Sequence, residues 1–552
     1  MQRSRLKACV VVGACALGCG TGRSADAGSA VTLTFGEQDS AEQTSELGTE
    51  DTAETQTTGD GDGDGEDHGD GDGDGDPKFD LTAMPDAELP PSGTIPTTCG
   101  QAQQGTSTVG CRFYAVDLDT HDGAEAVQFA VAVSNVQIDA PATVTVERKN
   151  MAGVWSTVAG PTVVPALDLH SFELPDLHQD NSGKRVGGAY RISANVPIVA
   201  YQFNPVDGAS SFLSDASMLY PAATWDHIHH VVGWQPNEDS FGIQGAYATI
   251  VAAHDGTVVQ VTPNVVTQGA GGVPAGQAGV PFMVNLDEGD IAEVMTQLMG
   301  STLSGTRIIS DEDHPVAVFS GHECAFVPAN LQACDHLEEQ LAGVRSWGTH
   351  FIASRMPVRV PNLPEAAAWQ VYASEGPTTI TFSASPGVVG LPAPQIVLQA
   401  GQMLPFYVRG PSSNPGDFEI QADKPIAVLQ YMTGGDAIGG IGDPAMVQIA
   451  PIEQQLQRYV VLVPDTWIND VAVLTRSAGA AISLDNAPIS NSLFVSVADS
   501  GYEVARVPVS DGVHVLDGGD QPFSVVIVGY DQYDSYAYLG GTGTEIINPA
   551  PG

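Results

Sequence analysis

ANVPIVAY (194–201), EDHPVAVF (312–319), ADKPIAVL (422–429) and GDQPFSVV (519–526) share one plan, a proline followed by a short run of β-prone residues. The prolines Pro197, Pro315, Pro425 and Pro522 are spaced 118, 110 and 97 residues apart. Proline has no N–H for a sheet ladder, so the first position of a strand is where it is tolerated. Upstream of each run lies a strand, a turn and a second strand: QFAVAVSNVQIDAPATVTVER (128–148), ATIVAAHDGTVVQVT (248–262), WQVYASEGPTTITFSAS (369–385) and VAVLTRSAGAAISLD (471–485). In their second strands Val144 and Val146, Val259 and Val261, Ile380 and Phe382, and Ile482 and Leu484 alternate with other residues, the period-two pattern of a half-buried antiparallel strand.

Farther upstream, CRFYAVDL (111–118), HHVVGW (229–234), HFIASR (350–355) and RYVVLV (458–463) supply an opening strand for each unit. With the intervening apolar pieces, each unit reaches about seven strands, the size and count of a β-sandwich. The chain is therefore expected to be all-β, with four tandem sandwich-like repeats over 99–228, 229–348, 349–457 and 458–552. A propeller-like closed array is the alternative, although propeller blades of four strands need far fewer residues than these units have.

The repeats are joined by long connections. Asp215, Asp335 and Asp443 recur 18, 20 and 18 residues beyond their prolines. LEEQL (337–341) and IEQQL (452–456) space apolar residues four apart, which predicts a short helix in each connection. The fourth unit runs to the C-terminus without such a connection. Loops this long are functional or disordered, and their apolar anchors argue against disorder. Phe212, Tyr220 and Trp225 in the first connection, and Phe326, Asn330 and Trp347 in the second, are candidates for recognition, with junction-capping as the alternative for the two tryptophans.

The N-terminus differs in kind. MQRSRLK is a basic lead-in to ACVVVGACALGCG, an apolar run too short to span a bilayer, so residues 1–19 read as an export signal. Small residues before cysteine give it the form of a bacterial lipoprotein signal, with Cys19 as the lipidated residue and Cys15 as the alternative. Residues 20–98 carry 20 acids and two bases and include GDGDGDGEDHGDGDGDGD (59–76). An EF-hand loop would need a closing Glu at its twelfth position, but counting from Asp60 that position is Gly71. Alternating Gly and Asp bury nothing and repel one another, so this stretch is expected to be a disordered tether. The expected location is the cell envelope, on an outer-membrane lipoprotein exposed at the surface.

Twenty basic against 66 acidic residues give a net charge of −46, the wrong sign for a nucleic-acid groove. After residue 19 only Cys99, Cys111, Cys324 and Cys334 remain. Three pairings are open, and the local one, Cys99 with Cys111 and Cys324 with Cys334, closes two short loops. His227 and His229 in WDHIHH (225–230) share a strand face and can hold zinc only with a third ligand from elsewhere. His322, Glu323, Asp335 and His336 are better placed for a metal, since a Cys324–Cys334 loop would bring them near one another, but they serve equally well as loop hydrogen bonders. HExxH, GxSxG and Walker patterns are absent, so neither an enzyme nor a metal or other cofactor is expected. A hydrolase built from distant loop carboxylates is the alternative function.

PVAVFSGHECAFVPANLQACDHLEEQLAGVRSWGTHFIASR (315–355) resembles the N-terminal domain of the IgGFc-binding proteins, with their Gly-His-x-Cys element, Cys-Asp-His/Tyr element and Trp-Gly tail. DASMLYPAATWDHIHHVVGW (215–234) and AYATIVAAHDGTVVQVTP (246–263) look like matching parts of the preceding unit. The resemblance implies an extracellular binding module; the expected role is adhesion to a protein or glycan, and the place of His322, Phe326, Asn330 and His336 in or beside the disulfide loop makes them the candidate ligand-binding residues. The family's Gly-Asp-Pro-His cleavage element has only Gly442, Asp443 and Pro444, followed by Ala445, so self-cleavage is not implied.

Overall fold

Three of the four prolines stand immediately before a strand: Val316–Ala325, Ile426–Tyr431 and Phe523–Asp531. Pro197 lies inside one long strand, Tyr190–Asn204. The first half of that strand pairs with Gly110–Ala115 and Ala142–Lys149, and the second half with Phe129–Asn135 and Asp215–Met218. Pro197 thus sits where the strand passes from one set of partners to the other within a single seven-stranded sheet, where no ladder N–H is required. The computed structural model describes residues 95–206, 213–331, 333–361, 363, 365–549 and 551, and almost all of its regular structure is β. The leader with Cys15 and Cys19, the tether up to residue 94 and Phe212 lie outside the described residues.

The third unit shows the plan most simply. One four-stranded sheet runs Gln402–Val408, Ala367–Ala373, Ile426–Tyr431, Met446–Gln448, and the other His350–Ala353, Phe418–Ala422, Thr378–Ala384, Gln395–Leu398. The same order recurs before it and after it. In the second unit, Gly183–Arg185 from the first joins as an extra edge strand beside Ile291–Thr296. Among the described residues no sheet closes on itself, and the sheets come in pairs in the second, third and fourth units while the first joins its two halves through Tyr190–Asn204, which separates this architecture from a propeller of single blades.

The long connections are not loops at their start. Asp215–Met218, Asp335–Gln340 and Met446–Gln448 are strands, and Asp534–Leu539 is their counterpart at the end of the chain. LEEQL is therefore strand where a helix was expected, and IEQQL opens with a single 3-10 turn, Ile452–Gln454. These four last strands are wholly buried and adjoin one another in cyclic order. Polar side chains tie them together. Ser217 Oγ accepts the Gln340 N–H at 2.8 Å, Glu339 Oε1 accepts that of Gln448 at 3.1 Å, and Gln448 Oε1 accepts that of Ala342 at 3.0 Å. The fourth unit closes against the first through rings, with Tyr201 and Tyr538 centroids 4.6 Å apart, and through Thr544 N–H donating to Thr106 O at 2.9 Å. Such ring pairs contribute about 0.5–1.5 kcal/mol beyond their area.

Candidate functional site

Both short-range cysteine pairs are disulfides, Cys99–Cys111 and Cys324–Cys334. The second closes a loop at the end of Val316–Ala325, and its inward residues are structural. His322 Nδ1 accepts the Cys324 N–H at 3.1 Å, which places the ring proton on Nε2, 3.0 Å from Gln235 O. His336 Nδ1 lies 3.1 Å from His322 O. Burial pushes His322 down to about 4 and His336 to about 3, so both are neutral at physiological pH. Phe326 is buried, and its carbonyl receives Trp234 Nε1 at 2.8 Å. Of the four candidate ligand-binding residues, Asn330 alone is exposed.

Trp225 and Trp347 are also buried, their indole N–H groups donating to Tyr220 O at 2.9 Å and Ala342 O at 3.1 Å. They pack at unit junctions, Trp225 on Tyr114 and Trp347 on Tyr372. The WDHIHH histidines go separate ways. His229 Nε2 lies between the Asp226 and Val316 carbonyls at 3.1 and 3.0 Å, and His230 meets Tyr372 Oη at 2.9 Å.

What the disulfide loop supports is a surface hairpin that sequence reading missed. Asn237–Glu238 pairs with Ile243–Gln244. Between them Asp239 Oδ1 accepts the N–H groups of Phe241 at 2.7 Å and Gly242 at 3.0 Å, the Asx-turn geometry that lets an aspartate build a tight bend. The hairpin is footed by Asn237, whose Nδ2 donates to Cys324 O at 2.9 Å and whose Oδ1 accepts the Phe326 N–H at 3.0 Å. Glu323 N–H adds a bond to Gly245 O at 3.1 Å. On this footing Phe241 stands 78% exposed at the tip, with Ile243 beside it also exposed. The Phe241 ring meets the His121 ring at nearly a right angle, with centroids 4.8 Å apart.

Asp239 in the turn and Glu323 at the foot bring acids to the hairpin. His121 Nε2 lies 3.5 Å from Asp239 Oδ2 and joins the hairpin to the loop over residues 116–127, which also carries Asp119, Asp122 and Glu125. Burial, then the Glu323 carboxylate, lifts Asp119 to about 9, and burial lifts Glu323 to about 7. An aromatic tip on a pinned turn is suited to docking a partner with an apolar pocket. The only signal for it in the sequence was DSFG (239–242), an apolar residue between turn formers.

The family model described as IgGFc binding protein matches residues 215–529. That span includes the hairpin and the disulfide loop, and excludes the acidic loop of the first unit. The IgGFc-binding protein of Homo sapiens is 27% identical over 308 residues, which are 54% of this chain and 5% of the human protein. The chain thus spans a small fraction of that relative's length. No solved structure matches.

Proposed function

Because the chain belongs to the IgGFc-binding protein family, a family of binding proteins, we propose that it is a lipid-anchored surface protein that binds an extracellular protein or glycan. Recognition, not catalysis, is the role assigned to it. The human relative is named for a protein ligand, and the coarser property of binding a protein is what carries over. The leader ending at Cys19 supports the anchor, and the Gly/Asp-rich stretch supports a spacer that holds the repeats away from the membrane. The contact surface is the Asn237–Gln244 hairpin together with exposed Asn330 on the loop that supports it.

The observation that carries this reading is Phe241. A phenylalanine this exposed gains nothing for the isolated fold, and aromatic side chains supply contact area at low entropy cost in interfaces. The test is a protein and glycan array probed with the whole chain and with Phe241→Ser. A ligand bound by the wild type and lost by at least tenfold in the variant, with unchanged melting temperature, is the expected result. Equal binding by both would place recognition elsewhere.

A further inference from the structure

His178 is an imidazole among carboxylates, on the loop over residues 175–182 that faces the loop over 116–127. Its Nε2 lies 3.1 Å from Asp180 Oδ1 and 3.6 Å from Glu125 Oε2. The donor atoms of Glu125, His178 and Asp180 all lie within 4.8 Å of one another. Two metal bonds of about 2.0 Å at a tetrahedral angle put their donor atoms about 3.3 Å apart, close to both Nε2 separations. On the other side of the ring, Nδ1 is 2.6 Å from Asp176 Oδ1, a hydrogen-bond length that leaves no room for an ion. A proton held there leaves the Nε2 lone pair directed between Glu125 and Asp180, as a carboxylate behind an imidazole does at a metal centre.

A second observation comes from below. Glu293 is 1% exposed and its Oε1 has no partner. Its register places it opposite Gly183, at the end of the loop that carries Asp180, and the charges acting on it are those of Asp119, Glu323 and Asp180. The nearby bases are engaged elsewhere. Arg185 donates to the carbonyls of Leu177 and His178, and Lys184 to Asn285 O and the Asp290 carboxylate. Burial, then the charges of Asp119 and Glu323, push the Glu293 carboxyl well above the carboxylate range, so in this acid-rich surrounding it holds a proton where no cation stands near it.

We propose that His178 Nε2, Glu125 and Asp180 bind a divalent first-row metal ion of the Zn²⁺ class, with Asp176 orienting the imidazole. One nitrogen with carboxylate oxygens suits such an ion, whereas Ca²⁺ takes oxygens alone. The competing occupant is a proton. Metal binding requires the neutral imidazole, so it displaces a proton and weakens in acid.

The test titrates the metal-stripped full chain with Zn²⁺, and separately with Ca²⁺, by calorimetry at pH 7.5. Wild type should bind one Zn²⁺ more than His178→Ala, and Glu125→Gln should show the same deficit. Asp176→Asn should keep the stoichiometry and bind 10- to 100-fold more weakly. Metal-free melting temperatures equal to wild type confirm that the variants fold. Equal Zn²⁺ stoichiometry in wild type, His178→Ala and Glu125→Gln overturns the proposal, and so does binding of Ca²⁺ alone that His178→Ala retains.

Discussion

Asp215 Oδ2 accepts the backbone N–H of Met446 at 3.1 Å, across 231 positions of sequence. The same oxygen accepts Glu338 N–H at 3.2 Å, and Oδ1 lies 3.4 Å from Ala537 N. One carboxyl of the first unit thus holds the last strands of the other three. Buried N–H groups left without acceptors cost about 1–3 kcal/mol each. Asp215→Ala should therefore destabilise the fold by about 3 kcal/mol or more, and Asp215→Asn, which keeps one acceptor oxygen, by less. Chemical denaturation of the two variants beside wild type measures the order.

The same strands show where the sequence stopped being legible. Repeats, proline-led strands, sandwich-type units and local disulfides could be read because each leaves a local pattern. The last strands leave none. Glu338 and Glu339 look like a solvated helix face, yet Glu338 Oε2 accepts Gln202 Nε2 of the first unit at 3.0 Å while Glu339 turns to Gln448 of the third. Successive residues pointing to opposite sides is strand geometry, but its partners lie more than a hundred residues away. Likewise, Phe326 and His322 were legible as special residues and not as footing, because the residues they bond, Asn237 and Gln235, belong to another segment.

Acids at the junction of the last strands make stability depend on pH. Asp335 is fully buried with neither carboxylate oxygen partnered, and burial, then Asp534, Asp443 and Asp215, push it well above the carboxylate range. Burial lifts Asp443 from 3.8 to about 8 against the opposing Gly435 hydrogen bond. A folded value above the unfolded one means that the stability tied to this proton is complete below about pH 4. It is lost as pH rises through about 8. Asp443→Asn, which mimics the protonated form, should flatten the stability profile between these limits, by up to about 1.4 kcal/mol per pH unit. Parallel profiles for variant and wild type would show the carboxyl ionised throughout.

Anchoring is tested at the other end of the chain. Several acyl chains hold a protein stably, at about 0.8 kcal/mol per buried CH₂, whereas one holds it marginally. Cys19→Ala should move the protein from the membrane fraction to the soluble one. Unchanged fractionation of Cys19→Ala and of Cys15→Ala would remove the lipoprotein reading.

The disulfide and the hairpin should fail together. Cys324–Cys334 closes a loop of separation 10, which restricts the unfolded chain by about 2–3 kcal/mol. Its Cys324 carbonyl is also the acceptor for Asn237, so loosening the loop frees the foot of the hairpin that carries Phe241. The paired change Cys324→Ser and Cys334→Ser should lower stability by that amount and speed amide exchange across residues 237–244 far more than in the sheets of the third and fourth units. Asn330→Ala, at an exposed position, should leave stability within about 0.5 kcal/mol and lower affinity for an array-identified ligand. Phe326→Ala, which empties a buried site, should cost about 3–5 kcal/mol and lower affinity only through that loss. If exchange at the hairpin is unaltered by removal of the disulfide, Asn237 is held by the Phe326 N–H alone, and the loop contributes stability without shaping the contact surface.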